Sequence, residues 1–163
     1  MGTGKSSVGR LVADVLRFEY LDTDDLIEKQ AGKSITRLFE EDGEPAFRKR
    51  ERKVIDELRK RQGTVIATGG GAGANEANLA SLKQHALVVC LWTSPQIIWN
   101  RVRNQTHRPL LRGTDPEEKI RELLALREPF YREADVLLNT EVRSPKEVAQ
   151  HVVHEFHFAT RSR

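Results

Sequence analysis

The stretch MGTGKSSVGRLVADVL, residues 1–16, joins a glycine-rich segment directly to an amphipathic helical pattern. Within it, Gly4-Lys5-Ser6 matches the closing half of the phosphate-binding loop G-x-x-x-x-G-K-[ST]. In such a loop the glycines let backbone N–H groups converge on phosphate oxygens, the lysine reaches the outer phosphates and the serine hydroxyl can ligate Mg²⁺. A flexible chain start is the alternative interpretation. The helical pattern that follows at once favours the phosphate loop.

The front of this loop is incomplete in the sequence. The first glycine of the pattern would fall before Met1, and no apolar strand precedes the loop. We therefore expect either a chain shortened at its front or a loop that is reached in another way. A central parallel strand missing from a sheet would leave the edges of its neighbours unpaired.

Short apolar runs alternate with longer amphipathic segments along the rest of the chain. The runs predict strands at residues 19–21, 64–68, 87–92 and 136–138, and the segments predict helices at residues 5–16, 25–31, 35–41, 44–61, 95–104, 116–132 and 145–156. This alternation predicts an α/β fold in which helices cover both faces of a parallel sheet. Ligands of such folds bind at the carboxyl ends of the strands. The 163 residues predict a single domain.

The composition excludes several classes of protein. Hydrophobic residues make up 38% and charged residues 31%, values that are typical of a globular protein rather than a disordered or fibrous one. The longest apolar run, residues 86–92, is too short to span a membrane. A secretion signal is not recognisable at the N-terminus, and the single cysteine, Cys90, excludes a disulfide framework. We therefore expect a cytoplasmic protein that does not associate with membranes.

Arginine dominates the basic residues. Of 27 basic side chains 18 are arginine, and the net charge is +3. Guanidinium groups suit carboxylates and phosphates, so this composition favours an anionic small-molecule ligand. Nucleic-acid binding normally needs clustered basic residues with stacking aromatics, whereas the charges here alternate in sign. We therefore expect no nucleic-acid partner.

Two carboxylates follow the first predicted strand, in the segment LDTDDLIE at residues 21–28. At the end of a parallel strand, one of Asp22 and Asp24 could hold Mg²⁺ through water and the other could accept a hydrogen bond from a substrate hydroxyl. The alternative is that these residues only cap the following helix. The runs that end at Thr68 and Trp92 carry no aspartate at their exits, so Asp22 is the candidate metal carboxylate by elimination.

Three consecutive glycines, Gly69, Gly70 and Gly71, end the second predicted strand. A tight turn rarely needs three glycines, and glycine backbone exposes its N–H groups to a ligand. We therefore predict a ligand-binding role for this segment.

Two arginines are distinguished by their position on predicted helices. Arg127 shares an otherwise apolar helix face with Ile120, Leu123 and Leu124, so it either pairs with an internal carboxylate or binds an anionic ligand. Arg48 lies at the edge of the apolar stripe that contains Phe47, and Glu51 one turn later is a possible orienting partner.

A loop rich in proline, glycine and arginine, residues 104–116, separates two predicted helices. This composition is that of a mobile loop that closes over phosphates, with Arg108 or Arg112 stabilising their charge. An ordinary exposed connection is the alternative.

Six motifs, read in order, resemble those of shikimate kinases over nearly the whole chain. They are GTGKSS at residues 2–7, LDTD at 21–24, FRKRE at 47–51, GGG at 69–71, RPLL at 108–111 and REPFY at 127–131. The resemblance implies a three-layer P-loop kinase fold like that of nucleoside monophosphate kinases, with a five-stranded parallel sheet. It also implies a substrate-binding helical segment at about residues 23–51 and a lid at about residues 104–116. Family members transfer the γ-phosphoryl group of ATP to the 3-hydroxyl of shikimate, on the route to chorismate and the aromatic amino acids.

The same resemblance implies roles for individual residues. It assigns the ATP phosphates to Gly2, Thr3, Gly4, Lys5, Ser6 and Ser7, the adenine side to Arg101 and Arg143, and Mg²⁺ to Ser6 and Asp22. It assigns the shikimate carboxylate to Arg48 and Arg127, the rest of the substrate pocket to Gly69, Gly70 and Gly71, and the shikimate hydroxyls to Asp24. Lys5, Asp24 and Arg108 would be catalytic, with Arg108 reaching the phosphates from the lid.

Two alternatives to a shikimate kinase remain open at this point. One is a related small-metabolite kinase such as gluconate kinase, which would not need two arginines that converge on a carboxylate. The other is a nucleotide-binding module without catalysis, which the incomplete phosphate loop permits. For either kinase we expect a monomer whose partners are small molecules.

Overall fold

The computed structural model describes residues 2–103 and 115–161. Within these ranges helices and strands alternate, as predicted for an α/β fold. The elements in chain order are α1 (Lys5–Leu16), β1 (Glu19–Asp22), α2 (Thr23–Ala31), α3 (Ile35–Glu41), α4 (Gly43–Leu58), β2 (Thr64–Ala67), a 3₁₀ turn (Ala72–Ala74), α5 (Glu76–Lys83), β3 (Val89–Trp92), α6 (Pro95–Val102), α7 (Pro116–Tyr131), β4 (Val136–Asn139) and α8 (Pro145–Arg161).

The strands form two parallel pairs. β1 pairs with β2, with Tyr20 opposite Val65, and β3 pairs with β4, with Cys90 opposite Leu137. Among the described residues β2 does not pair with β3, so these residues supply four of the five strands that the resemblance implied. β2 and β3 thus each have one edge that is unpaired within the described part of the chain.

One helical layer covers both strand pairs. Val8 and Val12 of α1 and Val148 of α8 form a buried cluster with Leu138 of β4. Side chains from both pairs pack against this cluster, among them Val65 of β2 and Val89, Leu91 and Val136 of the other pair. Burial of these aliphatic side chains is the main favourable contribution to folding at this place. The two strand pairs are therefore held together by a shared hydrophobic core.

A second apolar cluster positions the helices that follow β1. Ile27 of α2, Leu38 of α3, and Phe47, Val54 and Leu58 of α4 are buried together against Leu21 and Ile66 of the first strand pair. A further cluster, formed by Ile98, Val102 and Ile120, joins α6 to α7. The apolar stripes that predicted helices at these places are the faces that become buried.

The predicted helices and strands are confirmed with shifts of a few residues at their ends, and α1 and α3 have the predicted bounds. The prediction missed α5 and the 3₁₀ turn before it. The apolar signal of α5 is weak because Leu79 and Leu82 are its only large apolar side chains. Its start does carry a local signal, since the side chain of Asn75 accepts a hydrogen bond from the N–H of Asn78 at 3.0 Å. In the described ranges we find no helix that combines the length and the apolar character of a membrane span.

Candidate active site

An open cleft of about 1180 Å³ lies where the carboxyl ends of the strands meet the N-terminus of α1. The structure brings all described residues of the predicted site to its walls. These are Gly2, Thr3, Gly4, Lys5, Ser6, Ser7, Asp22, Asp24, Arg48, Gly69, Gly70, Gly71, Arg101, Arg127 and Arg143. Arg108 and most of the predicted lid, residues 104–114, lie outside the described residues.

The phosphate loop, residues 2–7, curls into the first turn of α1. Gly2 and Gly4 have φ angles of +64° and +91°, a conformation that side chains with a Cβ rarely adopt. Gly2 also fits tightly, because a Cβ there would lie 2.9 Å from Cγ1 of Val102. Gly4 offers no capping side chain, and the first turn of α1 has no acidic residue. This helix N-terminus therefore presents its N–H groups and its positive dipole end to an anion.

Asp22 caps α2 and also contacts the phosphate loop. Its Oδ1 caps α2 by accepting a hydrogen bond of 3.0 Å from the N–H of Asp24. Its Oδ2 accepts hydrogen bonds of 3.3 Å from the Ser6 hydroxyl and 3.2 Å from the Tyr20 hydroxyl. The carboxylate is thus a helix cap and also the neighbour of the phosphate loop.

Asp24, Glu51 and Gly69 converge in the middle of the cleft. A Cβ at Gly69 would lie 3.1 Å from Oδ1 of Asp24 and 3.2 Å from Oε1 of Glu51. The N–H of Gly69 donates to the hydroxyl of Thr23, a fully buried side chain, at 3.3 Å. The glycine loop, residues 69–71, therefore lies against the two carboxylates, and a side chain at Gly69 would displace them by a few tenths of an ångström.

Arg48 is held by two carboxylates of its own helix. Its Nη1 donates to Oε2 of Glu51 at 2.9 Å and its Nη2 donates to Oε1 of Glu44 at 2.8 Å. Burial lowers the pKa of the Arg48 guanidinium, but these carboxylates outweigh burial and raise that pKa overall. A Cβ at Gly71 would overlap the guanidinium, so Arg48 lies directly against the glycine loop.

Glu51 is the buried acid of the cleft. The residue is 1% exposed, and its Oε1 has no hydrogen-bond partner within the described part of the chain. Burial raises the pKa of this carboxyl, and the charge of Arg48 only partly opposes that shift. Glu51 therefore orients Arg48 with one oxygen and directs the other toward Asp24 and the glycine loop.

Arg127 lies on the face of α7 that the sequence predicted, next to Tyr131 one turn later. The Tyr131 hydroxyl donates a hydrogen bond of 2.7 Å to the carbonyl oxygen of Gly70. Burial raises the pKa of Tyr131, and a hydrogen bond with Arg127 and its positive charge oppose that shift. Arg127 is half-buried and lines the cleft, and no ion pair joins it to a carboxylate of residues 2–103 or 115–161. The described residues thus favour the anionic ligand over the internal ion pair.

Arg101 and Arg143 lie at the other end of the cleft. Arg101 bridges two elements, since its Nη1 donates to the carbonyl oxygen of Gly2 at 3.2 Å and its Nη2 donates to the carbonyl oxygen of Thr140 at 2.9 Å. Nη1 of Arg143 approaches the carbonyl oxygen of Asn139 at 3.5 Å. Arg101 therefore contacts the backbone of the phosphate loop and of the residue after β4, and Arg143 contacts the backbone at the end of β4.

The sequence prediction did not include Tyr20 or Tyr131 in the site, and it named Glu51 only as a possible partner of Arg48. A signal for each was present. Tyr20 lies two residues before Asp22 and therefore on the same face of β1. Tyr131 lies four residues after Arg127 and therefore on the same face of α7.

Comparison with known proteins decides the family. The family model described as shikimate kinase matches residues 1–157. The chain belongs to the shikimate kinase family. It is 42% identical over 156 residues to the shikimate kinase of Thermodesulfovibrio yellowstonii, covering 96% of this chain and 90% of that protein. It is 46% identical over 154 residues to the shikimate kinase of Halorhodospira halophila, covering 94% and 87%.

A solved shikimate kinase structure supports the same assignment. The shikimate kinase from Acinetobacter baumannii in complex with shikimate superimposes with a TM-score of 0.93 at 40% identity, covering 98% of this chain and 89% of that one. The P-loop kinase fold predicted from the sequence is thereby confirmed.

ATP-using enzymes such as shikimate kinases generally need a divalent metal ion. In the described ranges, no group of three or more His, Cys, Asp or Glu side chains is placed to hold a metal ion. Ser6 and Asp22 instead offer a hydroxyl and a carboxylate beside the phosphate loop. Oxygen ligands of this kind, completed by phosphate oxygens and water, suit a hard divalent cation. The donor set therefore fits a metal ion that arrives with a nucleotide.

Proposed function

We propose that this chain transfers the γ-phosphoryl group of ATP to the 3-hydroxyl of shikimate. The observation that carries this proposal is the arrangement of the cleft, which has a phosphate loop at one end and two arginines, Arg48 and Arg127, around a glycine loop at the other. An anionic nucleotide and a carboxylated acceptor can thus be held at opposite ends of one cleft. The family supports the same reaction.

The nucleotide end consists of residues 2–7 with Arg101 and Arg143. The N–H groups at the start of α1 and the Lys5 ammonium bind the phosphates, because both present positive charge to the same place. Arg101 and Arg143 lie on the adenine side. Phosphoryl transfer depends mainly on positioning and on neutralising charge, which these groups supply without a covalent nucleophile.

Ser6 and Asp22 hold Mg²⁺ in this proposal. The bound ion would neutralise charge on the phosphate oxygens. Ser6 can offer a lone pair of its hydroxyl oxygen while its O–H donates to Oδ2 of Asp22, which is the hydrogen bond seen here at 3.3 Å. Asp22 thus positions Ser6 in addition to offering its own oxygens.

The acceptor end consists of Asp24, Arg48, Arg127 and the glycine loop. The two guanidinium groups bind the shikimate carboxylate, and Asp24 accepts a hydrogen bond from the reacting hydroxyl. As the hydroxyl oxygen forms its bond to the γ-phosphorus, its proton passes to the Asp24 carboxylate, the bond from phosphorus to the β–γ bridging oxygen breaks, and ADP leaves. Arg108, outside the described residues, is proposed from the sequence to stabilise the negative charge of the phosphates. Residues 23–51 and 104–116 are the proposed substrate-binding segment and lid.

The proposal is tested by measuring ADP release with Mg·ATP and a panel of acceptors. Phosphorylation of shikimate, with gluconate inactive and Lys5→Ala as the blank for contaminating kinases, is the expected result. Binding of ATP without phosphorylation of any acceptor would overturn the proposal and favour a non-catalytic nucleotide-binding module. We further propose a monomer that acts in the cytoplasm, which the elution volume of the purified chain and its localisation in cells would test.

A further inference from the structure

Tyr20 contacts Asp22, a residue of the cleft wall, and the proposed reaction does not use its side chain. Its residue lies on the same face of β1 as Asp22, and its hydroxyl donates to Oδ2 of Asp22 at 3.2 Å. The same oxygen accepts a hydrogen bond from the Ser6 hydroxyl. The other oxygen, Oδ1, accepts the N–H of Asp24 at 3.0 Å. Three donors from three different elements therefore fix the orientation of one carboxylate.

The aromatic ring of Tyr20 is itself fixed by its surroundings. A Cβ at Gly9 would lie 2.8 Å from Cε2 of Tyr20, so the ring packs directly on the backbone of α1. On the same helix, the guanidinium carbon of Arg10 lies 4.5 Å from the centre of the ring. The ring is thus positioned by α1, the helix that also carries Ser6. The two side chains that donate to Oδ2 of Asp22, those of Tyr20 and Ser6, are therefore both positioned by α1.

We propose that Tyr20 is a positioning residue for the divalent cation that accompanies the nucleotide. Its hydroxyl holds the Asp22 carboxylate in the orientation that serves Ser6 and the cation, so less ordering is needed when the metal–nucleotide complex binds. Partners that orient a metal-binding carboxylate typically contribute roughly 10- to 100-fold to metal affinity. This inference rests on the proposed function, because that function places the metal at Ser6 and Asp22.

The test is the Mg²⁺ dependence of ADP binding by Tyr20→Phe, measured by calorimetry without shikimate. The variant keeps the ring and removes only the hydroxyl. Mg²⁺ should enhance ADP binding in both proteins. We expect the variant to need a roughly 10-fold higher Mg²⁺ concentration to reach half of that enhancement. Binding of ADP in the presence of a chelator should stay unchanged. A half-saturating concentration equal to that of the unmodified chain would overturn the inference, as would ADP binding that Mg²⁺ does not enhance in either protein.

Tyr131→Phe is the matched control, because it removes the only other tyrosine hydroxyl of the chain, which donates to the carbonyl oxygen of Gly70. It should leave the Mg²⁺ dependence unchanged. A second variant, Gly9→Ala, should displace the ring and raise the half-saturating Mg²⁺ concentration. In the double variant with Tyr20→Phe that increase should be no larger than in Tyr20→Phe alone. Additive increases would show that Gly9 acts independently and would count against the inference.

This design separates the inference from the proposed function. If Mg²⁺ enhances ADP binding by the unmodified chain and Tyr20→Phe raises only the Mg²⁺ concentration needed, the inference holds even where shikimate is not phosphorylated. If shikimate is phosphorylated and Tyr20→Phe leaves the Mg²⁺ dependence unchanged, the inference fails and the proposed function stands.

Discussion

The Tyr131 hydroxyl donates a 2.7 Å hydrogen bond to the Gly70 carbonyl oxygen, which joins α7 to the glycine loop. The two residues are 61 positions apart in the chain. Through this bond, the helix that carries Arg127 is connected to the loop against which Arg48 lies. The bond between Tyr131 and Gly70 thus helps to fix the distance between the two arginines that are proposed to bind one carboxylate.

Removing that hydroxyl should weaken shikimate binding selectively. In Tyr131→Phe the partly buried Gly70 carbonyl loses a hydrogen bond, and such a bond typically contributes about 0.5–1.5 kcal/mol. We expect the KM for shikimate to rise by up to roughly 10-fold and the KM for ATP to stay near its original value. Steady-state kinetics with each substrate varied in turn provide the measurement. Equal increases in both KM values would indicate a general loss of structure instead.

Arg127→Ala should weaken shikimate binding more strongly. Loss of a charge-assisted bond to a carboxylate costs about 1.5–3 kcal/mol, so we expect shikimate affinity to fall roughly 10- to 100-fold. Titration of shikimate followed by calorimetry, with ATP binding measured on the same sample, provides the comparison. Arg132→Ala is the matched control, because that side chain is 70% exposed and pairs with Glu128 on the surface. An unchanged shikimate affinity in Arg127→Ala would remove Arg127 from the acceptor site.

Gly71 of the glycine loop and Gly73 of the 3₁₀ turn offer a pair of substitutions that meet different neighbours. Gly71→Ala places a methyl group where the Arg48 guanidinium lies, so Arg48 must move. Small displacements of a positioning group are costly, and we expect kcat/KM for shikimate to fall roughly 10- to 100-fold. The new methyl group of Gly73→Ala would lie 3.7 Å from Cε1 and 4.0 Å from Cδ1 of Tyr131, which are ordinary contact distances, so this variant should retain most of the activity. Similar losses in the two variants would contradict the contact between Arg48 and Gly71.

Glu51 should make the stability of the fold depend on pH. Burial raises the pKa of its carboxyl, so the folded state binds a proton more tightly than the unfolded state does. Between the ordinary glutamate value and the raised one, the free energy of unfolding must therefore fall as pH rises, by up to about 1.4 kcal/mol per pH unit.

Urea denaturation of the unmodified chain and of Glu51→Gln across that pH range measures this effect. As pH increases, the unfolding free energy of the unmodified chain should fall relative to that of Glu51→Gln, because glutamine does not titrate. Glu57→Gln is a suitable control, since that carboxylate is on the same helix with its side chain 49% exposed. A difference that does not change with pH would be incompatible with a raised pKa at Glu51.

The sequence predicted the parts of the fold that depend on periodic burial. α1 has its predicted bounds because Val8 and Val12 recur on one face and become buried. α5 was missed because its burial rests on few large side chains, and its capping residue Asn75 follows a glycine-rich segment that masks the start. Local patterns thus predicted the elements that bury several large apolar side chains on one face.

The site was predictable to the extent that a motif names its residues. Lys5, Asp22, Arg48 and Arg127 line one cleft, as the motifs indicated. The contacts that orient them were not predictable from the sequence. The hydrogen bond between Ser6 and Asp22 joins residues that are distant in the chain, and the position of the Tyr20 ring depends on its close approach to the backbone of Gly9. Such contacts follow from packing of whole elements and leave little trace in local sequence.

The cluster that α1 and α8 form against both strand pairs has a consequence for catalysis. α1 carries the phosphate loop at its N-terminus, whereas the glycine loop extends from β2 of the first strand pair. Because Val8 and Val12 contact side chains of both pairs, the distance between the two ends of the cleft is set by aliphatic packing. Alignment of the donor phosphorus with the acceptor oxygen therefore depends on this aliphatic packing as well as on the polar groups that bind the substrates.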